Sequence, residues 1–501
     1  MNRHIIRHRS VGIGVSVLCV FVAVEYSGVS DATELGLTAE TVRELVLSQN
    51  RHIRAAVQRA DASRMAVKIA SGVYDTRLEM SANYMREREP QNPVFTGNDT
   101  EIIDYGIAIK KYFPSGTAVD VELRATTTDS FTDGAFTNGS IPGLVYIDPA
   151  CRVESSLIVS QPLLRDWLGR QSRGNIKIAR LEADRAKFIR DDTTEVILHQ
   201  ALVNYWRWRS AANFSEIAKQ SLLAAKRLES TTRDKLRYGR AEKVDVIAAV
   251  ATRQQRELQL MQAVDAEQTL FTNLKSLLFL DEDLTVTSRE SMESLVEPRP
   301  LSTYLDQIEN GRRDLVLIRK ELELLGIKQQ LAADRRLAQL NLAGGLTAYG
   351  LDKDFGQSAD RSFSGESVSW FGGVTLTLPL ENRAALGETQ QLILLVDEAK
   401  TRRDALIHQV SSDIRRNHEH WIQTRQIAKQ SNRVVEELTN RVEAEGTRFR
   451  QGRSDSANLI RYDEELLQAQ WGLSERLLDV RLAELTLMRD LNALFIGEPT
   501  R

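Results

Sequence analysis

Between Gly169 and Arg237 the chain contains no proline. Nothing there removes a backbone donor or drives a ring into the preceding turn, so one uninterrupted helix is permitted. At 1.5 Å per residue such a helix is roughly 100 Å long. A rod of that length cannot hide its apolar side inside a compact domain. It must coil with neighbours or form part of a tube. The 501 residues include ten prolines, which cluster, so other long stretches are equally free of breakers.

The pattern occurs twice. Leu236-Arg237-Tyr238-Gly239-Arg240 precedes Val244-Asp245-Val246-Ile247, and Phe449-Arg450-Gln451-Gly452-Arg453 precedes Ala457-Asn458-Leu459-Ile460. The spacing from each glycine to the following Asp or Asn is the same. Ile-Ala-Lys-Gln-Ser also occurs at 217–221 and 427–431, about one helical turn out of step with the glycines, as in a stammer. Each half reads as a helix (39–75; 302–337), alternating segments, a long helix, a Gly-Arg turn and another long helix. The units span 33–297 and 298–501, more chain than one core usually holds. Leu459, Tyr462, Leu466, Ala469 and Leu473 step by three and four, and Leu477 and Val480 continue this coiled-coil seam. Leu467, Leu478, Leu485 and Met488 widen it, as for a helix with neighbours on two sides.

The segments between the helices alternate with period two. Leu78, Met80, Ala82 and Tyr84 oppose Glu79, Ser81 and Asn83; Tyr105, Ile107 and Ile109 oppose Gly106 and Ala108. Val119, Val121 and Leu123 oppose Asp120, Glu122 and Arg124; Val374, Leu376 and Leu378 oppose Thr375 and Thr377. Short segments with one apolar and one polar or small face suit a transmembrane barrel wall, although a soluble sandwich alternates too. Tyr84, Tyr105, Tyr112, Phe113, Tyr349, Trp370 and Phe371 stand near strand ends, where an aromatic girdle sits. Only a closed barrel satisfies strand amides in lipid, and one chain has too few strands to close. An oligomer follows.

The N-terminus decides between these settings. Arg3, Arg7 and Arg9 precede an apolar run from Val11 to Val24, with small residues at Ser27, Gly28, Ser30 and Ala32. A run of about 14 residues is too short to span a bilayer and reads as a secretory signal, cleaved near Ala32 (1–32). Cys19 lies inside that run, so Cys151 is left as the mature chain's one cysteine and an intramolecular disulfide is impossible. A 42% hydrophobic and 27% charged composition excludes disorder and a polytopic helical membrane protein. The net charge of −3 lacks the basic stripe of a nucleic-acid binder.

This order of pieces resembles the TolC-like outer membrane efflux proteins, the outer membrane factors, over residues 36–496. The matching residues are Thr38-Ala39-Glu40-Thr41-Val42 opening the first helix, the Pro-Ser-Gly turn at 114–116, Ser160-Gln161-Pro162-Leu163-Leu164 and Thr377-Leu378-Pro379-Leu380. The resemblance implies a mixed α/β membrane protein: a homotrimeric β-barrel in the outer membrane of a Gram-negative bacterium, continuous with a long periplasmic α-helical coiled-coil barrel. It implies an exit duct of a tripartite efflux pump or type I secretion system. Gly239, Arg240, Gly452 and Arg453 would be the tips that dock on a periplasmic adaptor, itself joined to an inner-membrane pump that supplies the energy. Pro162 and Pro379 end their strand ladders and turn the chain into helices.

Two departures from the family pattern stand out. The family has two strands per half, whereas the first half here offers four, near 76–86, 102–113, 117–127 and 153–161; the second offers two, near 340–350 and 368–379. Either all six enter the wall, giving a trimer about eighteen strands and a wider pore, or the 102–127 hairpin folds over the pore mouth. The apolar face of Ile107, Ile109, Val119 and Val121 favours insertion. Acids that narrow the entrance in family members correspond to Asn458 and Arg461 here, while Asp245 keeps its acid. With three-fold symmetry these would be charged rings at a gate. Alternatively Asp245 caps the helix over 241–285 and Arg461 pairs with Glu464 or Glu465.

No enzyme site is legible. His418-Glu419-His420 has its histidines two apart, not the four that a helical zinc pair needs, and reads as a solvated helix face. No phosphate loop, nucleophile elbow or Cys-x-x-Cys occurs, and seven methionines form no dense cluster, so neither cofactor nor metal is expected. The rival reading is a periplasmic coiled-coil adaptor or scaffold without a pore. Cell fractionation separates the two: a duct is recovered in outer membranes with heat-modifiable migration, and purely periplasmic recovery sinks the duct reading.

Overall fold

The computed structural model describes residues 35–88, 99–131, 150–280, 286–288, 290–293, 295–306 and 311–495. The signal-like segment 1–32 lies outside them. The first half contains β1 (Leu35–Leu37), α1 (Ala39–Gln49), α2 (Arg51–Ser71), β2 (Arg77–Glu87), β3 (Asp99–Tyr112), β4 (Ala118–Phe131), β5 (Ala150–Pro162), α3 (Arg170–Arg237), α4 (Lys243–Leu278) and β6 (Val286–Ser288). The second contains α5 (Leu301–Leu305), α6 (Arg313–Arg335), β7 (Gln339–Asp352), α7 (Phe355–Ser364), β8 (Ser367–Thr377), α8 (Arg383–Arg450) and α9 (Ser456–Asp490).

The rod is present in both halves. α3 and α8 each run for 68 residues, and α4 and α9, which return from the tips, for 36 and 35. α3 packs on α4, α8 on α9, and α9 joins the two hairpins by packing on α3. None of the described helices is apolar enough over sufficient length to cross a membrane.

The first helix of each half is shorter than expected. Residues 39–75 form α1 and α2, broken at Asn50, whose extended backbone (ψ 120°) ends one and caps the other. Its buried side chain accepts from His52 N and Ile53 N and donates to Leu277 O, so the break is built in by hydrogen bonding rather than by a proline. In the second half α5 ends at Leu305 and α6 starts at Arg313.

The main core surrounds the middle of the long helices. Tyr205, Trp206 and Trp208 of α3 pack with Ile414 and Trp421 of α8 and with Leu477 and Leu487 of α9. Glu195 is 1% exposed there, yet fully engaged: it accepts from Arg313 Nη1 at 2.9 Å and from the amides of Leu494 and Phe495. A buried carboxylate is tolerable because the guanidinium and two amides replace its water. This cluster ties the chain's last described residues to both halves.

All six expected strands form one antiparallel sheet in the order β2-β3-β4-β5-β7-β8. The β3–β4 hairpin lies within the sheet between β2 and β5 and does not fold away. The halves meet at β5 and β7, registered from Cys151↔Asp352 to Pro162↔Asn341. The sheet is open, and β2 and β8 each have one edge without a strand among the described residues.

The sheet is joined to the helices by closely packed backbone. Gly116, in the β3–β4 turn (φ 81°), lies against Gly169 (φ 65°), the residue before α3. A Cβ on Gly169 would stand 2.6 Å from Pro114 O. Asp166 accepts from Tyr112 Oη and Gln171 N, while buried Asp334 accepts from Asp166 N, Arg170 Nη1 and Gln171 Nε2. Gly169→Ala therefore carries both the left-handed cost of about 1 kcal/mol and a backbone collision. Gly239→Ala, also at positive φ but facing open space, carries the first alone. Chemical unfolding of the two variants is expected to show the larger midpoint loss for Gly169→Ala; equal losses would mean that the junction yields.

Candidate functional site

The two faces of the sheet differ. Registered partners share a face, so alternation and pairing together place Met80, Ile107, Leu123 and Ser155 on one side, with Leu78, Ile109, Val121, Leu157, Leu346 and Trp370 on the same side. That side is apolar and largely uncovered, with Met80 71% and Trp370 78% exposed. The other side carries a polar ladder. Lys110 Nζ meets Glu79 at 2.5 Å, and Arg124 pairs with Glu122 and Asp104. Thr126 also donates to Asp104. One face of the sheet is therefore charged and the other apolar.

The two tips are near copies. Gly239 and Gly452 have φ of 68° and 75°. In each, the glycine amide bonds back to the third residue before it (Leu236 O, Phe449 O), and the next amide reaches five back (Arg240 N to Lys235 O, Arg453 N to Arg448 O). This geometry satisfies the last carbonyls of α3 and α8 and needs the left-handed residue that glycine supplies. Arg240 and Arg453 beside them are exposed.

The tips differ in how the returning helix is capped. For α4 the cap residue is Glu242, and Asp245 reaches back to accept from Glu242 N at 2.9 Å. For α9 the cap is Asp455, which accepts from Asn458 N at 2.8 Å. Both cap positions carry an acid, but only the first tip has a second acid three residues on, where Asn458 occupies the position of Asp245. Asp245 thus does cap its helix. Its second oxygen accepts from Ser456 Oγ at 3.0 Å, so the same carboxylate ties one tip to the other.

Arg461 does not form the expected ion pair with Glu464 or Glu465. It donates to Asn458 Oδ1 and Tyr462 Oη, whereas Glu464 pairs with Arg256 and Glu465 with Arg441. Tyr462 lies under the Arg441 guanidinium at 3.8 Å, and hydrogen bonds from Arg441 and Arg461 hold its phenol below the usual range.

Sequence reasoning missed two further ties between the halves. Lys235 Nζ donates to Phe449 O and sits 3.3 Å from the Phe449 ring centre; its burial lowers the amine's pKa. Arg256, 1% exposed, reaches Glu464 at 2.6 Å and Asp463 at 3.5 Å, and burial raises the Asp463 carboxyl. The available signal was periodicity: Arg256 stands one heptad after buried Ala249, a cation in a seam position.

The His418 reading also changes. His418 is buried, with Nε2 3.0 Å from Arg299 O and its ring edge-on to Tyr304; only Glu419 and His420 face solvent. No metal-holding group of His, Cys, Asp or Glu occurs among the described residues.

No family model matches the chain, and no curated protein matches it in sequence. Its fold is that of solved outer membrane channels. It resembles the Campylobacter jejuni CmeC outer membrane channel (TM-score 0.64, 15% identity, 92% of this chain and 87% of that one). Similar too are the Neisseria gonorrhoeae MtrE outer membrane channel in its open state (0.64, 14%, 92% and 91%) and the Vibrio cholerae outer membrane protein VceC (0.62, 13%, 91% and 96%).

Asp245→Ala removes a cap and a tie between tips. Losses of about 1 kcal/mol are expected from each, read as faster hydrogen exchange at the first amides of both α4 and α9. Ser456→Ala should speed exchange at the α9 tip alone; faster exchange confined to α4 in the Asp245 variant would remove the tie.

Proposed function

We propose that three copies of this chain form an exit duct in the outer membrane of a Gram-negative bacterium, passing cargo from the periplasm or an inner-membrane pump to the exterior. The observation that carries this reading is the combination of a bare apolar face with two open strand edges. In lipid an unpaired edge leaves backbone groups unsatisfied, so β2 of one copy must pair with β8 of the next until the wall closes. Three-fold closure gives about eighteen strands, a size class that keeps an aqueous channel. The charged face then lines water and the apolar face meets lipid.

The helices support the same assembly. α4 leaves Val244, Ile247, Leu258 and Met261 exposed, and α8 leaves Ile393, Leu394, Ile427 and Val434 exposed, on the two flanks where a neighbouring copy would lie. Closing those flanks makes a helical tube under the barrel. An adaptor or scaffold without a pore has no use for the bare sheet face.

Function would then concentrate at the tips. Gly239, Arg240, Gly452 and Arg453 form the end that docks on a periplasmic adaptor, the two arginines offering hydrogen bonds to its carboxylates or carbonyls. Asp245, Asn458 and Arg461 form the periplasmic gate. Three-fold symmetry makes Asp245 a ring of three acidic side chains.

Planar-bilayer recording tests this. The purified protein is expected to form water-filled channels with cation preference, and Asp245→Ala to shift the reversal potential towards zero. Absence of channels would overturn the duct; unchanged selectivity would confine Asp245 to its cap and tie.

A further inference from the structure

The connection between β7 and β8 does not simply turn over the end of the sheet. It forms α7, which folds back onto the apolar face. Gly350 and Val153 are registered partners and, by alternation, share the face of Leu346 and Leu157. Those two leucines are 52% and 40% exposed, whereas Val153 is 0% exposed, because α7 covers it.

The contact is unusually close. A Cβ on Gly350 would stand 1.8 Å from Ser358 O. Ser358 Oγ donates to Cys151 O at 2.8 Å and Ser362 Oγ to Ala348 O at 3.0 Å. Small residues four apart, with hydroxyls bonded to neighbouring backbone, are how helices pack where apolar burial offers no advantage over the surroundings.

The remaining side chains of α7 divide into two stripes. Phe355, Ala359 and Phe363 are spaced by four and form one. Asp360 and Ser364, with Gln357 and Arg361, form the other, and Arg361 is held by Asp352. Phe355 and Phe363 are 54% and 70% exposed. α7 lies over β5 and β7, inboard of both open edges, so a copy added at β2 or β8 joins the sheet elsewhere.

From this geometry we propose that α7 is a membrane anchor on the outside of the barrel. Its serines grip the wall, its phenylalanines enter the outer-leaflet lipid continuous with the apolar belt, and its polar stripe faces water. A helix with separated apolar and charged flanks lies at a bilayer boundary in this way. The inference rests on the duct reading, since it takes the apolar face as the lipid face.

Spin labelling tests it and keeps the two readings apart. The full protein, in a Cys151→Ala background, is reconstituted in phosphatidylcholine vesicles with a nitroxide at Phe363→Cys, Asp360→Cys or Val374→Cys. Collision with oxygen reports lipid and collision with a water-soluble nickel chelate reports solvent. The expected result is an oxygen-dominated signal at 363 and 374 and a nickel-dominated one at 360. Gly350→Val should displace α7, reversing the ratio at 363 while leaving 374 unchanged. If 374 is lipid-like but 363 meets nickel, or meets neither reagent, the anchor fails and the duct stands. Nickel access at 374 overturns both.

Discussion

A helix of 68 residues needs packing partners along its length, and here shorter helices supply them: α2 and α4 lie along α3, and α6 and α9 along α8. The two halves of this chain meet that demand with matched rods, α3 and α8, each doubled by a shorter returning helix. The aromatic core around Tyr205, Trp208 and Trp421 fixes their midpoint, and Glu195 seals it by holding Arg313 and the last described amides. Everything else hangs from this arrangement: the sheet at one end, the tips at the other.

At the sheet end the constraint is steric. Gly116 and Gly169 bring the inserted β3–β4 hairpin against the start of α3, and the carboxylates of Asp166 and Asp334 satisfy the amides that the tight turn exposes. The sheet therefore leaves the rods as one continuous set of six strands, with β2 and β8 at its edges among the described residues. At the tip end the constraint is electrostatic and local. The halves share a glycine turn and an acidic cap, Glu242 and Asp455, but only the first adds a second acid, Asp245. Asp245, the extra acid of the first tip, also accepts from Ser456 and so joins the two tips.

Much of this was legible before any coordinates. Proline-free length, three-four stepping and the spaced glycines determine the rods and turns, because these depend on residues close in sequence. Two-residue alternation likewise determines the six strands and their faces. Local patterning failed where a distant partner decides. Asn50 breaks a helix because Leu277 O accepts its amide, and His418 is buried because Tyr304 and Arg299 come to it from another segment.

The sequence alone thus determined the periods: which stretches are helix or strand, where they turn, and that two copies of one plan are joined. Only the tertiary structure decided the partners. It put the β3–β4 hairpin inside the sheet, assigned Glu464 to Arg256 and Glu465 to Arg441 instead of Arg461, and folded α7 back over Val153. Period is set by backbone geometry within a few residues, whereas pairing is a competition among charges and surfaces hundreds of residues apart, and only the assembled fold resolves it.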